Sequence, residues 1–150
     1  MMPIVILVVV LVVAGAVGVL LRRREGRIRT TATATAPRDA ARTALLAAAG
    51  VGVAVPAVLH FSAVWCGPCA AVRRVVTDVV ADLADTEAPP LDIEVDIEAE
   101  PALARELNVL SLPTTFVFDA RGRERFRISG VPKSSDLRSA LAPLTLRDAA

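Results

Sequence analysis

Residues 57–83 read AVLHFSAVWCGPCAAVRRVVTDVVADL: a short apolar run, a turn carrying both cysteines, then apolar positions at helical spacing. The run Ala57–Ala63 is bounded by Pro56 and by the Gly67–Pro68 turn, which predicts a buried strand. Beyond the turn, Val72, Val75, Val76, Val79, Val80 and Leu83 recur with a 3.6-residue period. Arg73, Arg74, Asp78 and Asp82 fill the opposite face, so Gly67 to Leu83 is predicted as an amphipathic helix. A strand that passes through so short a turn into a helix limits the chain to architectures built on β–α units.

The remaining punctuation extends that unit. Pro89–Pro90 stop the helix, and LDIEVDI alternates as a strand with Leu91, Ile93, Val95 and Ile97 on one face. Pro101 suits the first turn of a helix reaching about Leu107. Thr114 to Asp119 is rich in β-formers, Gly122 supplies a turn, and Glu124 to Gly130 alternates as the hairpin partner. Ser134 to Leu141 reads as a terminal helix. The order β-α-β-α-β-β-α predicts a mixed sheet with helices on both faces.

The N-terminal part is of another kind. Ile4 to Leu21 is 18 residues without a charge. As a helix it would reach about 27 Å at about 1.5 Å per residue, close to the hydrocarbon core of a bilayer. Arg22, Arg23, Arg24, Arg27 and Arg29 follow the run, and no basic residue precedes it, the reverse of a cleaved signal peptide. No cysteine follows it for lipid attachment. An uncleaved single-pass anchor over residues 1–21 is therefore expected. Arginines near a span stay on the cytoplasmic side, so the domain is expected to face the cytoplasm, with an extracytoplasmic domain as the alternative. Residues 22–43, Thr/Ala-repetitive and broken by Pro37, read as a flexible polar tether. The folded domain is expected over 44–147. In the apolar stretch Ala44 to Val58, Gly50, Gly52 and Pro56 argue against a second span. They leave a short helix or edge strand followed by a Gly-rich turn. A net charge of +1 gives no reason to expect a nucleic-acid partner.

Cys66 and Cys69 stand two residues apart at the predicted strand-to-helix turn. At a helix N-terminus, unpaired N–H groups and the helix dipole favour the thiolate, the form that attacks disulfides. Pro68 lacks an N–H and suits the helix's first turn. Cys69, a turn further on, is expected to be the more buried of the two and able to close a disulfide with Cys66. A zinc site takes four ligands, and two cysteines with His60 fall short, so no metal is expected. A static disulfide closing so small a loop would contribute little cross-linking entropy. The C-x-x-C spacing alone does not choose between a chance pair and a redox couple.

The neighbours do choose. WCGPC behind an apolar strand, with LPTT at Leu112–Thr115 opening another, resembles the thioredoxin family over about Ala57 to Leu141. FSAVWCGPC is similar to the family's active-site strand and turn, and DIEAEPALARELNVLSLPTTFVFDARG to its central strand, helix and cis-proline region. SGVPKSSDLRSAL is similar to its last strand end and C-terminal helix. The resemblance implies a three-layer α/β/α sandwich with a mixed sheet, here preceded by one transmembrane helix. It implies Cys66 as nucleophile, Cys69 as resolving thiol, and Pro113 as a cis residue against the cysteine pair. Leu112 would offer backbone hydrogen bonds to a substrate chain, and Trp65 would form an apolar rim beside Gly67 and Pro68. Gly130 would leave room for the substrate.

One departure stands out. Thioredoxins usually carry a buried acid six residues before the first cysteine, and this chain has His60 there; a nearby lysine corresponds to Glu94. Two readings follow: His60 accepts the proton of Cys69 with Glu94 as its partner, or His60 is a satisfied structural residue. The expected activity is reduction of protein disulfides by a membrane-tethered dithiol, without a cofactor, recharged by a reductase or another dithiol. The alternatives are a binding module that uses the same groove, and an extracytoplasmic reductase or oxidase.

Overall fold

Strand β2, Ala57–Ser62, is an interior strand of the sheet with every residue buried. In the computed structural model, which describes residues 10–15, 28–30 and 39–146, it pairs in parallel with β3 (Leu91–Asp96). On its other side it pairs antiparallel with β4 (Thr114–Phe118), which forms a hairpin with β5 (Glu124–Ser129). The edge beyond β5 is occupied by β1 (Ile28–Thr30), so the five-stranded mixed sheet has the order β1-β5-β4-β2-β3.

Four helices cover it: α1 (Asp39–Ala48), α2 (Cys69–Asp82), α3 (Pro101–Glu106) and α4 (Ser134–Leu141), the last continued by a 3₁₀ turn at Ala142–Thr145. Alternation along the strands divides the core in two. Ala57, Leu59 and Phe61 point to one face, where Phe116, Phe118 and Val95 meet Leu46 of α1 and Leu103 and Ala104 of α3. Val58, Val117 and Ile128 point to the other, against Val72, Val76 and Val79 of α2 and Leu137 and Leu141 of α4. The valines at 72, 76 and 79 form one stripe because residues three and four apart share a helix face.

The order from Ala57 to Leu141 matches the sequence expectation, and the helix before β2 is α1. The tether reading changes within its bounds. Residues 28–30 are an edge strand, with Ile28 opposite Ile128 and Thr30 opposite Phe126, and α1 starts at Asp39 rather than at Ala44. Both follow from local preferences that an apolar-stripe search misses. β5 would otherwise present an open edge to which β-branched Ile28 and Thr30 can add, and Ala40, Ala41 and Ala44 favour helix without a stripe. Residues 10–15 are helical, with Val10, Leu11, Val12 and Val13 exposed. Among the described residues no helix is long and apolar enough to cross a membrane. Most of the expected span at Ile4–Leu21, and much of the segment 22–43, lie outside the described residues.

Candidate active site

At the end where β2 finishes, three loops converge. The first, residues 63–68, leaves β2 and enters α2. The helix starts at Cys69, with Pro68 at φ −67° as its cap, so Cys66 precedes the helix by one turn rather than standing inside it. Proline presets the backbone there and has no N–H to satisfy, and the Cys69 N–H instead donates to the Cys66 carbonyl at 3.2 Å. The two sulfurs are joined in a disulfide, with Cα atoms 5.5 Å apart. Cys66 is half-buried, while Cys69 is 3% exposed and its Sγ lies 3.8 Å from the Phe61 carbonyl oxygen.

The second loop ends in the cis Leu112–Pro113 bond. Phe61 is the register partner of Thr114, so Pro113 sits beside the end of β2 from which the cysteine loop departs. The Leu112 side chain packs on the apolar cluster beneath. The third loop is reached through a single bond: the Gly130 N–H donates to the Pro113 carbonyl at 2.9 Å. Gly130 has φ +84°, a conformation glycine adopts without a Cβ penalty. Around this point the surface is open. Trp65 is 67% exposed, its indole N–H donating to Glu98 Oε1 at 2.7 Å, and Val64 and Leu110 are exposed as well. A Cβ added at Gly67 would meet nothing within 4 Å, and Pro68 beside it is also exposed.

His60 lies on the face of the sheet that α2 covers and is 1% exposed. Its partner corrects the sequence expectation. Glu94 is the Cα register partner of His60, yet its carboxylate is taken by α2, with Arg73 Nε donating to Oε2 at 2.7 Å and Nη2 to Oε1 at 2.5 Å. The imidazole Nε2 instead lies 3.1 Å from Asp92 Oδ1, two residues back along β3, and Thr77 of α2 donates to Asp92 Oδ2 at 3.1 Å. Bonding to the Arg73 guanidinium holds the Glu94 carboxyl down to about 2; burial opposes this, and a hydrogen bond from Ser62 adds to it. Asp92 was readable as a candidate. In LDIEVDI the acids alternate with Leu91 and Ile93, so Asp92 and Glu94 share the face toward α2.

A mixed sheet whose interior strand β2 feeds a C-x-x-C disulfide into a covering helix, beside a cis-proline loop, defines a thioredoxin-fold dithiol protein. The thioredoxin family profile matches residues 51–143, and the chain belongs to the thioredoxin family. It is 38% identical over 68 residues to a thioredoxin of Mycolicibacterium smegmatis, an alignment covering 45% of this chain and 60% of that one. It is 38% identical over 76 residues to thioredoxin H2 of Arabidopsis thaliana, covering 51% and 53% respectively. The matches thus span little more than half the length of these relatives. The fold is similar to that of oxidised mitochondrial thioredoxin 3 of Saccharomyces cerevisiae, with a TM-score of 0.53 at 21% identity over 71% of this chain and 89% of that one.

Proposed function

We propose that this chain is a thiol–disulfide oxidoreductase that reduces protein disulfides while tethered to a membrane. The observation that carries the reading is the asymmetry of the cysteine pair: Cys66 half-buried at the loop surface, Cys69 behind it at 3% exposure. In the reduced protein, the Cys66 thiolate attacks one sulfur of a substrate disulfide and expels the other as a thiolate. Cys69 then attacks the Cys66 sulfur of the mixed disulfide, closing Cys66–Cys69 and releasing the second substrate thiol. Two electrons pass from the dithiol to the substrate, and a reductase or a second dithiol returns them. Trp65, Gly67, Pro68, Leu112, Pro113 and Gly130 surround Cys66 as the surface for an extended substrate chain.

The test is a Cys69→Ser variant of the full chain. It should accumulate mixed disulfides with protein substrates, while the wild type turns over a model protein disulfide in the presence of a dithiol. Absence of both would support the alternative, a binding module that uses the same groove. A measured potential near about −270 mV, the value of thioredoxin itself, supports a reductase, and one near about −120 mV an oxidase.

The membrane part of the reading rests on the uncharged run Ile4–Leu21, the arginines that follow it and the exposed apolar helix at residues 10–15. By the distribution of arginines the domain faces the cytoplasm. Labelling of Cys66 by a membrane-impermeant thiol reagent in intact, gently reduced cells would place it on the other side, where it would serve extracytoplasmic disulfides.

A further inference from the structure

We propose that the end of the domain bearing Cys66 faces the bilayer, and that its substrates are disulfides in apolar polypeptide segments of membrane proteins close to the bilayer surface. The inference rests on the tethered-oxidoreductase reading above and adds to it a direction and a substrate class.

The direction comes from the register of β1. The cysteine loop leaves the sheet after Ser62, and Phe61 stands opposite Thr114 at that end. Thr114 in turn pairs with Ser129, so β5 finishes there, and the Gly130 N–H that follows donates to the Pro113 carbonyl. β1 runs antiparallel to β5, with Ile28 opposite Ile128 and Thr30 opposite Phe126. Its first residue is therefore at the active-site end, and its last points away from it. The chain enters the sheet beside the loop that carries Gly130, three strand spacings, or about 14 Å, to the side of β2.

The distance comes from the same pairing. A tether running from 22 to 43 would let the domain turn freely, but β1 fixes residues 28–30 to the sheet. Only residues 22–27 then lie between Leu21, the end of the uncharged run, and Ile28. The seven Cα steps from Leu21 to Ile28 bridge at most about 25 Å. A domain of about 110 residues is about 35 Å across. To present the opposite end to the bilayer, the link would have to run back along that flank, further than it reaches. The active-site end is thus held toward the membrane, whichever side the domain lies on.

The surface at that end suits such a place. Of the large apolar side chains exposed within residues 39–146, Val64 at 93%, Leu110 at 85%, Trp65 and Val131 stand on the three loops around Cys66; Val53 and Leu146 stand elsewhere. Exposed apolar side chains gathered on one face mark a surface that another apolar one covers. The indole N–H of Trp65 is already bonded to Glu98, so what the ring has left to offer is its apolar surface. Chain next to a membrane span is rich in aromatic and apolar residues, which match this rim. Lipid is the other apolar occupant within reach. Exposed Glu98, beside Trp65, and exposed Asp96, which accepts the Glu98 N–H, argue against immersion, because a carboxylate carried into hydrocarbon is costly. A polypeptide on the rim leaves both acids in water. The exchange is the one written above, with the dithiol oxidised, the substrate disulfide reduced and two electrons passed.

The test reconstitutes the full chain, reduced, in phosphatidylcholine vesicles together with a synthetic single-span peptide. The peptide carries a fluorophore in disulfide linkage to a cysteine, placed either next to its span or raised about 60 Å on a helical spacer rich in Glu, Ala and Lys. Release should be at least about tenfold faster from the near position, because only that cysteine shares the reach of the site. A long flexible Gly/Ser insertion between Gly26 and Arg27 should erase the preference while a soluble disulfide is reduced at the wild-type rate. Val64→Ser combined with Leu110→Ser, both at exposed positions, should raise KM for the near peptide several-fold. Equal rates from the two heights, or a preference that survives the insertion, overturns the orientation while the oxidoreductase reading stands. An unaltered KM in the double variant removes the apolar rim from substrate recognition. Quenching of Trp65, the only tryptophan of the chain, by phosphatidylcholine brominated on its acyl chains puts lipid on the rim and overturns the polypeptide occupant. No release from any substrate overturns the oxidoreductase reading, and a chain that does not sediment with the vesicles overturns the tether and the orientation together.

Discussion

Asp119 holds the turn of the hairpin that carries Pro113 at one end and Gly130 at the other, and replacing it tests how that hairpin is held. Its side chain is 4% exposed and accepts four hydrogen bonds. Oδ1 takes the backbone N–H groups of Arg121 and Arg123, each at 3.0 Å, and Oδ2 takes Arg123 Nε at 2.8 Å and Arg125 Nη1 at 3.3 Å. Asp119→Ala strips all four. The half-exposed guanidinium groups recover water, and the backbone donors of the exposed residues Arg121 and Arg123 recover part of theirs, so losing each of those two bonds costs about 0.5–1.5 kcal/mol. The expected loss is about 1–3 kcal/mol, or about 5–20 °C in Tm for a domain of this size. Asp119→Asn keeps an oxygen for the two N–H groups and gives up two partly exposed ion pairs, so about 1 kcal/mol is expected. Acid adds a second reading. Burial alone would raise the Asp119 carboxyl, but bonds from the Arg123 backbone and side chain, the Arg121 backbone and Arg125 outweigh it and hold the carboxyl below its ordinary 3.8. A depressed folded value means the stabilisation is complete above the unfolded carboxyl's range and drains away as pH falls through the folded one. The Asn variant should lose that slope. Thermal melts followed by circular dichroism across a pH series measure both effects, and an Asp119→Ala melt within about 2 °C of wild type would refute the reasoning.

Glu94→Gln should remove acid sensitivity from the α2–β3 contact. The drop from 4.5 to about 2 converts to about 3 kcal/mol at face value, and screening at this solvent-open pair reduces it to about 1 kcal/mol. That contribution is present above about pH 4.5 and lost toward about pH 2, so parallel acid titrations of wild type and variant would disprove it. Leu59→Ala empties a fully buried position in the interior strand β2 and should cost about 2–5 kcal/mol in denaturant unfolding; a loss under about 1 kcal/mol would mean the core collapses to fill the space. Trp65→Ala, at a largely exposed side chain, should leave Tm unchanged and raise KM for a protein disulfide several-fold, so an unaltered KM would remove Trp65 from the substrate surface.

Residues 57–141 were legible because each boundary carries its own chemical mark. Pro56 and Pro68 bracket β2 and its turn, Pro89–Pro90 separate α2 from β3, and Pro101 opens α3. Strand β1 and the start of α1 were not legible, since neither carries an apolar period. Three residues of IRT carry no period of their own, and they become a strand only where β5 offers an edge. The partner of His60 was hidden for a different reason. Register puts Glu94 beside His60, and a reading of strands alone stops there. What redirects the pairing is Arg73, on a helix, whose planar fork takes both Glu94 oxygens and leaves the imidazole to Asp92.

The two faces of the sheet treat polarity differently, and the difference falls beside the chemistry. On the α1–α3 face the strands present Leu59, Phe61, Phe116 and Phe118, an apolar surface that needs no polar partner. On the α2 face, Val58 and Val117 give way toward the cysteine loop to His60, Ser62 and Thr115, all buried. An apolar residue at 115 would spare the sheet a buried hydroxyl that lacks a hydrogen-bond partner among the described residues, a cost on the order of 1–3 kcal/mol, whereas the buried imidazole of His60 is bonded to Asp92. Polarity on this face is thus paired where β3 offers a carboxylate, at His60, and left without a partner among the described residues at Thr115, so this polar cluster costs the sheet more than an apolar one would.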